Sequence, residues 1–502
     1  MVMSRKPLKR NFVINLLAPL ARIAVALVTV PIYVRHVGDA RYGVISIMWV
    51  LLGYFGFLDL GLSRAATNAL AKLREASQQE RARVLLTTFA LNLGFGLVGS
   101  VILFILGEFL LKHVISIPDA LRPEVSQAFP WIAAVFPLAL ISGVGVGALE
   151  SREQFLLANV LQILGMSLTQ IAPALVAVFV SPSLTAVIPT AAVAQASSVV
   201  LVLAAVYRIE GPFSVRAFNR KEARALLGYG SWISVSNIIG PVLTSLDQFL
   251  IGSIMGVAAV AHYTVPMNLV VRSQIFPAAL ARTSFPRMSS LAADDARALG
   301  ARALSLLGYG YAAVCAPAII LSPVFFRYWI GADFALLAAP VAQILFLGAW
   351  VNGLAFIAFT LLQGQGRPDI TGKLHMIELV PFLGILWILT STFGIKGAAI
   401  AWSVRSAADA LALFWISGLN RRDVLAALRP AVLLAASEIG AWFIGPRLGL
   451  AVSAAVFVGL IVICLAYAYS TDWRQLIEVQ FGARARRFSG RWFQRVRASG
   501  SP

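Results

Sequence analysis

The chain has 502 residues, 59% of them hydrophobic and only 13% charged, with a mean hydropathy of +0.83. That balance leaves too few polar groups to coat a water-soluble fold, which excludes a soluble enzyme and makes a bilayer the solvent. The formal net charge of +19 then has to be explained by where the basic residues fall relative to the membrane. Basic loops facing anionic lipid need no nucleic acid.

Runs of about 20 apolar residues, enough to cross roughly 30 Å of hydrocarbon, lie at 11–34, 42–66, 84–108, 127–149, 155–180, 185–207, 226–252, 257–281, 303–326, 336–363, 374–392, 395–418, 430–446 and 450–469. No stretch alternates as the strands of a membrane barrel do, so the spans are expected to be helices that satisfy their own backbone groups. The fold expected is all-α and polytopic, with about fourteen transmembrane helices. The short connections near 181–184, 253–256, 392–395 and 446–449 decide the count, since fusing neighbours across them would leave twelve. The basic start of the chain runs into its first span without a small-residue cleavage site, which reads as a retained helix rather than a signal peptide.

With the N-terminus inside, the outer loops hold Arg35, Arg41, Lys112, Arg122, Arg327, Lys396 and Arg447, and the spans or their ends hold Arg22, Arg64, Arg272 and Arg405. The other 30 of the 41 Lys and Arg residues fall on the cytoplasmic side, the bias that sets orientation. Both termini are therefore expected in the cytoplasm. The outer loops are short, the longest about 18 residues by the span limits that hydropathy sets, so function must lie within the helices or at their faces.

A weak repeat adds a division into lobes. Asn15 to Pro19 (NLLAP) and Asn237 to Pro241 (NIIGP) share an Asn-x-x-x-Pro pattern at an offset of 222 residues. Six spans separate them, so both copies point the same way, as in transporters built from parallel repeats around a cavity. The expected organisation is an N-lobe over 1–222, a C-lobe over 223–420, two further helices over 421–469 and a basic amphipathic tail over 470–502.

PIYVRHVGDARYGVISI (31–47) followed by YFGFLDLGLSRAATNAL (54–70), SLDQFLIGSIMGVAAVAHYTVPMNLV (245–270), LLQGQGRPDITGKL (361–374) and FGIKGAAIAW (393–402) occur in an order that resembles the polysaccharide transporter family. These are the oligosaccharide flippases of the multidrug/oligosaccharidyl-lipid/polysaccharide superfamily. The resemblance touches most of 11–420. It implies two pseudo-symmetric six-helix lobes plus two C-terminal helices, and alternating access in the bacterial inner membrane. It also implies a polyprenyl-diphosphate-linked oligosaccharide as substrate for O-antigen, capsule or exopolysaccharide assembly, with a polysaccharide polymerase and chain-length machinery as further partners.

The charges within spans are the candidate site. Burying an Arg at a helix centre costs roughly 2.5–3.5 kcal/mol on insertion scales, so Arg22, Arg272 and Arg405 each need a partner or an aqueous cavity. Arg405 has Asp409 one turn on and reads equally as a structural pair. Arg22 and Arg272 have no carboxylate three or four residues away. A cationic cavity suits the oxygens of a diphosphate, which a guanidinium grips in a fork. Asp247 in span 7 stands at the position where the family carries an acid. It is a candidate for a coupling proton or sodium ion, or else a hydrogen-bonded scaffold acid. Asp59 is expected about 10 Å, or 7 residues, from the inner end of span 2, where it reads as a gating or packing residue. Arg64, nearly at that end, either gates or snorkels to headgroups.

Tyr54, Trp232, Trp350 and Trp402 are candidates for stacking on sugar rings, against the commoner packing role. The tail interleaves Arg with Trp473, Phe481, Phe488 and Trp492 and is expected on the inner leaflet, bound to membrane lipid rather than nucleic acid. Cys315 and Cys464 stand alone and the four histidines are scattered, so neither a metal nor a cofactor is expected. No Gly-rich phosphate loop appears. The reading is a flippase rather than an enzyme, with a multidrug-type antiporter and a membrane glycosyltransferase or polymerase as its rivals.

Overall fold

A computed structural model describes residues 23–73, 75–211, 218–220, 222–224, 246–443, 452, 455–456 and 458–462. Among these residues every regular element is helical. In chain order they are α1 Ile23–Val37, α2 Asp39–Tyr54, α3 Leu62–Lys72, α4 Gln78–Phe109, α5 Arg122–Ser151, α6 Phe155–Phe179 and α7 Leu184–Glu210. There follow α8 Leu246–Met255, α9 Val257–Ser273, α10 Ile275–Ser290, α11 Ala293–Trp329, α12 Ala332–Gly364, α13 Pro368–Ser417, α14 Arg421–Ala427 and α15 Ala431–Phe443. Among the described residues, eight helical stretches are long and apolar enough to cross a membrane. The chain is an all-α, multi-pass membrane protein with a helix at the described part of each expected span.

Three of the four connections that decided the span count are breaks in the helices. α6 ends at Phe179 before α7 opens at Leu184, and α8 ends before Gly256, whose φ of 84° lies in the left-handed region. Within α13 the helical run is interrupted at Gly394, with φ 63° and ψ −143°, a conformation only glycine adopts without strain. The fourth connection lies outside the described residues.

Span 2 departs from the expected continuous helix. After α2 the chain tightens into a 3₁₀ turn over Phe55–Asp59 and passes through left-handed Leu60 and Gly61 before α3 begins. Asp59 therefore sits at a helix start, not on a helix face. Span 8 is divided as well, into α9 and α10. Pro277 has no N–H to give the Ser273 carbonyl, and its ring crowds that carbonyl, so the ladder fails there.

Helix contacts follow small residues, as expected where lipid is as apolar as leucine. The buried stripe of α4 is Asn92, Gly96, Gly99, Leu103 and Gly107, spaced by one turn. A Cβ on Gly107 would lie 2.1 Å from the Phe129 ring of α5, so glycine sets that approach. Leu97, Val101 and Ile105 on the other side of α4 remain exposed, as lipid-facing residues must. Ser77 and Glu80 form a capping box at the start of α4, satisfying two of its free N–H groups.

The chain divides into two compact units, one of Met1–Val265 with Leu386–Ala398 and one of Pro266–Ile385 with Ala399–Pro502. In the first, α4 packs with α5, and α7 packs with both α5 and α6. In the second the largest interface joins α11 to α12. It is pinned where the Trp350 indole N–H donates to the Gly308 carbonyl at 2.8 Å.

Candidate functional site

In the first unit, Asp59 accepts hydrogen bonds from the Ser63 hydroxyl at 2.6 Å and from the Ser63 backbone N–H. Its Oδ1 also accepts from Asn92 Nδ2 on α4 at 3.0 Å. The carboxylate thus satisfies a free N–H in the first turn of α3 and ties that turn to α4. Arg64, one residue beyond Ser63, is exposed.

Asp247, on α8, is fully buried. It accepts the Tyr263 hydroxyl at 2.6 Å and the Gln248 N–H at 2.8 Å. Its neighbour Gln248 accepts from Thr264 at 3.1 Å. Two adjacent polar pairs therefore join α8 to α9.

The same unit holds a buried charge cluster that the spans did not reveal. Arg81 of α4, 1% exposed, donates to both carboxylate oxygens of Glu210 at the end of α7. It also donates to the Leu70 and Leu73 carbonyls closing α3 and to Ser151 of α5. Arg152 adds two contacts of 3.0 Å to Glu210. Both ends of this pair fall in loops by hydropathy, which hides them from a search for charges inside spans. At another point Arg41 holds Glu124 bidentately at 2.6 and 2.9 Å, and Glu124 also caps α7 through the Leu184 N–H.

In the second unit, Arg272 is half-buried in the last turn of α9, and Asn268 one turn earlier is exposed. The residues just after Arg272 enter polar contacts with α11 and α12. The Ser273 hydroxyl meets Tyr311 at 2.7 Å, and Gln274 donates to Asn352 at 3.0 Å.

Arg405 does not turn to Asp409. Its Nη1 lies 3.7 Å from Glu378 Oε2, and its guanidinium stands over the Phe382 ring, 5.4 Å from the centroid. Asp409 instead faces His375, whose Nε2 is 3.7 Å from Oδ1. All of these residues lie on α13, on either side of the Gly394 break, and Arg405, Glu378 and Asp409 are buried to within about a tenth of their side-chain surface. Glu378 escaped the sequence reading although an acid five residues into an apolar span is the signal that reading sought in other spans.

Arg22 lies outside the described residues, as do the Asn-x-x-x-Pro repeat, Trp232, Cys464 and the tail. Trp350 and Trp402 are buried in the core, so they pack helices and offer no face to a sugar ring. The Tyr54 side chain is outside the described set.

The sequence profile of a family described as polysaccharide biosynthesis protein matches residues 8–292. A Shigella flexneri protein assigned by name to O-antigen transport is 29% identical over 413 residues, covering 81% of this chain and 97% of its own length. A Haloferax volcanii protein named for flipping in low-salt glycan biosynthesis is 24% identical over 206 residues, 39% of this chain and 42% of that protein. Among solved structures, the lipid II flippase MurJ in an inward closed conformation aligns with a TM-score of 0.70 at 14% identity, covering 93% of this chain and all of that one. An inward-facing multidrug transporter of the MOP superfamily aligns at 0.65 and 15% identity, covering 83% and 98%.

Proposed function

Because the chain belongs to the polysaccharide biosynthesis protein family, we propose that it is a flippase for lipid-linked oligosaccharides. The observation that carries this reading is the match to a protein named for O-antigen transport over 97% of that protein's length, on a fold made of apolar helices. The substrate we assign is a polyprenyl-diphosphate-linked oligosaccharide destined for O-antigen, capsule or exopolysaccharide, handed on to a polymerase and its chain-length machinery. The membrane is the bacterial inner membrane and both termini are cytoplasmic, supported by the 30 basic residues that fall on that side.

The diphosphate is assigned to Arg22 and Arg272. Asn268, exposed one turn before Arg272, supports a wet surface there, because an amide facing lipid is costly. Arg405 meets the Glu378 carboxylate inside the protein, which favours its structural role. Asp59 and Arg64 are assigned to the inner gate, where the break between α2 and α3 supports a bending point. Ion coupling at Asp247 has the carboxylate's burial in its favour, while its Tyr263 and Gln248 donors favour the scaffold role.

The test is reconstitution in vesicles with a fluorescent polyprenyl-diphosphate oligosaccharide in the inner leaflet. Protein-dependent appearance of the label at the outer surface supports the flippase. Efflux of small cationic dyes with no movement of the lipid-linked sugar would favour the multidrug-type antiporter and overturn it.

A further inference from the structure

We propose that His375, Glu378, Arg405 and Asp409 form a proton-binding site in which Glu378 and Asp409 share one proton. The argument begins with charge. With His375 neutral, one guanidinium faces two carboxylates, leaving one negative charge uncompensated in a buried site, and an uncompensated buried charge is strongly destabilising. A single proton removes the imbalance.

Hydrogen bonding reaches the same conclusion independently. Glu378 faces Asp409, yet both oxygens of Glu378 and the Oδ1 of Asp409 are buried with no hydrogen-bond donor, as is the Nε of Arg405 on the donor side. Two ionised carboxylates can only accept. A proton on one of them supplies the missing donor and closes the pair.

Among the described residues, the groups placed beside the cluster do not change this count. Phe359 of α12 stacks on His375, with centroids 6.1 Å apart and planes 11° apart, and Phe382 lies under Arg405. α12 carries a single charged residue, Asp333, in its first turn, far from Phe359. Lys373 and Asp369, at the start of α13, pair with one another and are exposed. His375 is the most open member, with 30% of its side chain exposed. Under the proposed topology it lies at the cytoplasmic end of span 11, so protons enter from that side through its imidazole.

The same set does not suit a metal cation. Hard cations take a cage of oxygens, whereas this cluster includes a fixed guanidinium. Among the described residues no three His, Cys, Asp or Glu side chains are placed to hold a metal ion. The step is proton transfer alone: a proton leaves water, passes His375, and ends between Oδ1 of Asp409 and the Glu378 carboxylate.

Infrared difference spectroscopy of the full-length protein in lipid vesicles, scanned over pH without any sugar substrate, tests the site. The link to transport rests on the flippase reading, but this measurement does not, so the two can fail separately. Wild type should show a protonated-carboxyl band that titrates and is unmoved by replacing potassium with sodium. Glu378→Gln with Asp409→Asn should lose that band. Arg405→Gln, which removes the opposing positive charge, should move the midpoint upward by a pH unit or more, a tenfold gain in proton affinity. If the double substitution fails to insert, the Arg405→Gln shift decides alone. A band that survives the double substitution, a midpoint unmoved or lowered in Arg405→Gln, or displacement of the band by sodium would each overturn the proposal.

Discussion

Removing the Arg81 guanidinium tests how the first unit is held together. All five of its N–H groups have acceptors: two on Glu210, one each on the Leu70 and Leu73 carbonyls, and one on Ser151. Arg81→Met keeps the aliphatic stem but removes the side-chain donor from the Leu70 and Leu73 carbonyls at the end of α3, where helix C-termini need donors. Among the described residues Leu73 then keeps only the Ala76 N–H, and Glu210 is left facing Arg152. Breaking a buried pair from one side costs about 3–5 kcal/mol. Because Arg152 remains in place, the lower figure applies, about 3 kcal/mol, or on the order of a hundredfold in the folded-to-unfolded ratio. The assay is equilibrium unfolding in mixed micelles followed by tryptophan fluorescence. Glu210→Leu alone should also be costly, and the double variant Arg81→Met with Glu210→Leu should lose clearly less than the two single losses added together, because no buried charge is left behind. A loss below about 1 kcal/mol for Arg81→Met would refute the reasoning, as would strict additivity.

Reporter fusions after Ser470 and within 209–225 should both report cytoplasm; a periplasmic signal from either would overturn the span count. Arg22→Ala and Arg272→Ala should abolish surface polysaccharide with membrane protein levels near wild type, and Lys at either position should rescue only in part because it lacks the fork. Loss of the protein itself in both Ala variants would point to scaffold roles instead. Asp247→Asn keeps an acceptor for Tyr263, so it should fold and still respond to an imposed ion gradient if the acid is a scaffold. Flipping that no longer depends on the gradient would return the coupling role to Asp247.

Much of the fold could be read from the sequence because membrane helices obey two strong rules. A bilayer demands long apolar runs, and the backbone must satisfy itself within them. The breaks at Gly256 and Gly394 were visible as short connections because glycine takes the positive φ that ends one helix against the next. The broken span at Asp59 was not visible in hydropathy, since GFLDLG is as apolar as the helix it interrupts. Its clues were chemical: two glycines, and an acid four residues before Ser63, the distance at which a carboxylate can meet a backbone N–H at a helix start.

Side-chain partners were less legible, and the reason is geometric. Arg405 and Asp409 are spaced to touch on one helix, yet each turns instead to a residue on the preceding limb, because the chain folds back at Gly394 and brings Glu378 and His375 into reach. Sequence spacing reports only the intrahelical option. Arg81 and Glu210, 129 residues apart, offered no such option and so no signal.

The proposed proton site on that fold-back also bears on how substrate would bind. With both acids ionised, the α13 cluster is negative and repels an anionic headgroup. With one proton bound it is neutral, and Arg405 is less firmly engaged by Glu378. Proton uptake and diphosphate binding are therefore expected to favour one another, and linkage requires the effect to be equal in both directions. Binding of a soluble polyprenyl-diphosphate analogue, measured by calorimetry in micelles, should tighten as pH falls through the infrared midpoint, by several-fold to about a hundredfold for a typical coupling of 1–3 kcal/mol. Glu378→Gln with Asp409→Asn removes both titrating acids and leaves the Arg405 charge unopposed, so it should bind tightly at every pH, while Asp247→Asn should keep the wild-type dependence. Affinity that is flat with pH in wild type, or still pH-dependent in the double variant, would separate the proton site from the substrate and leave Arg405 as a structural charge.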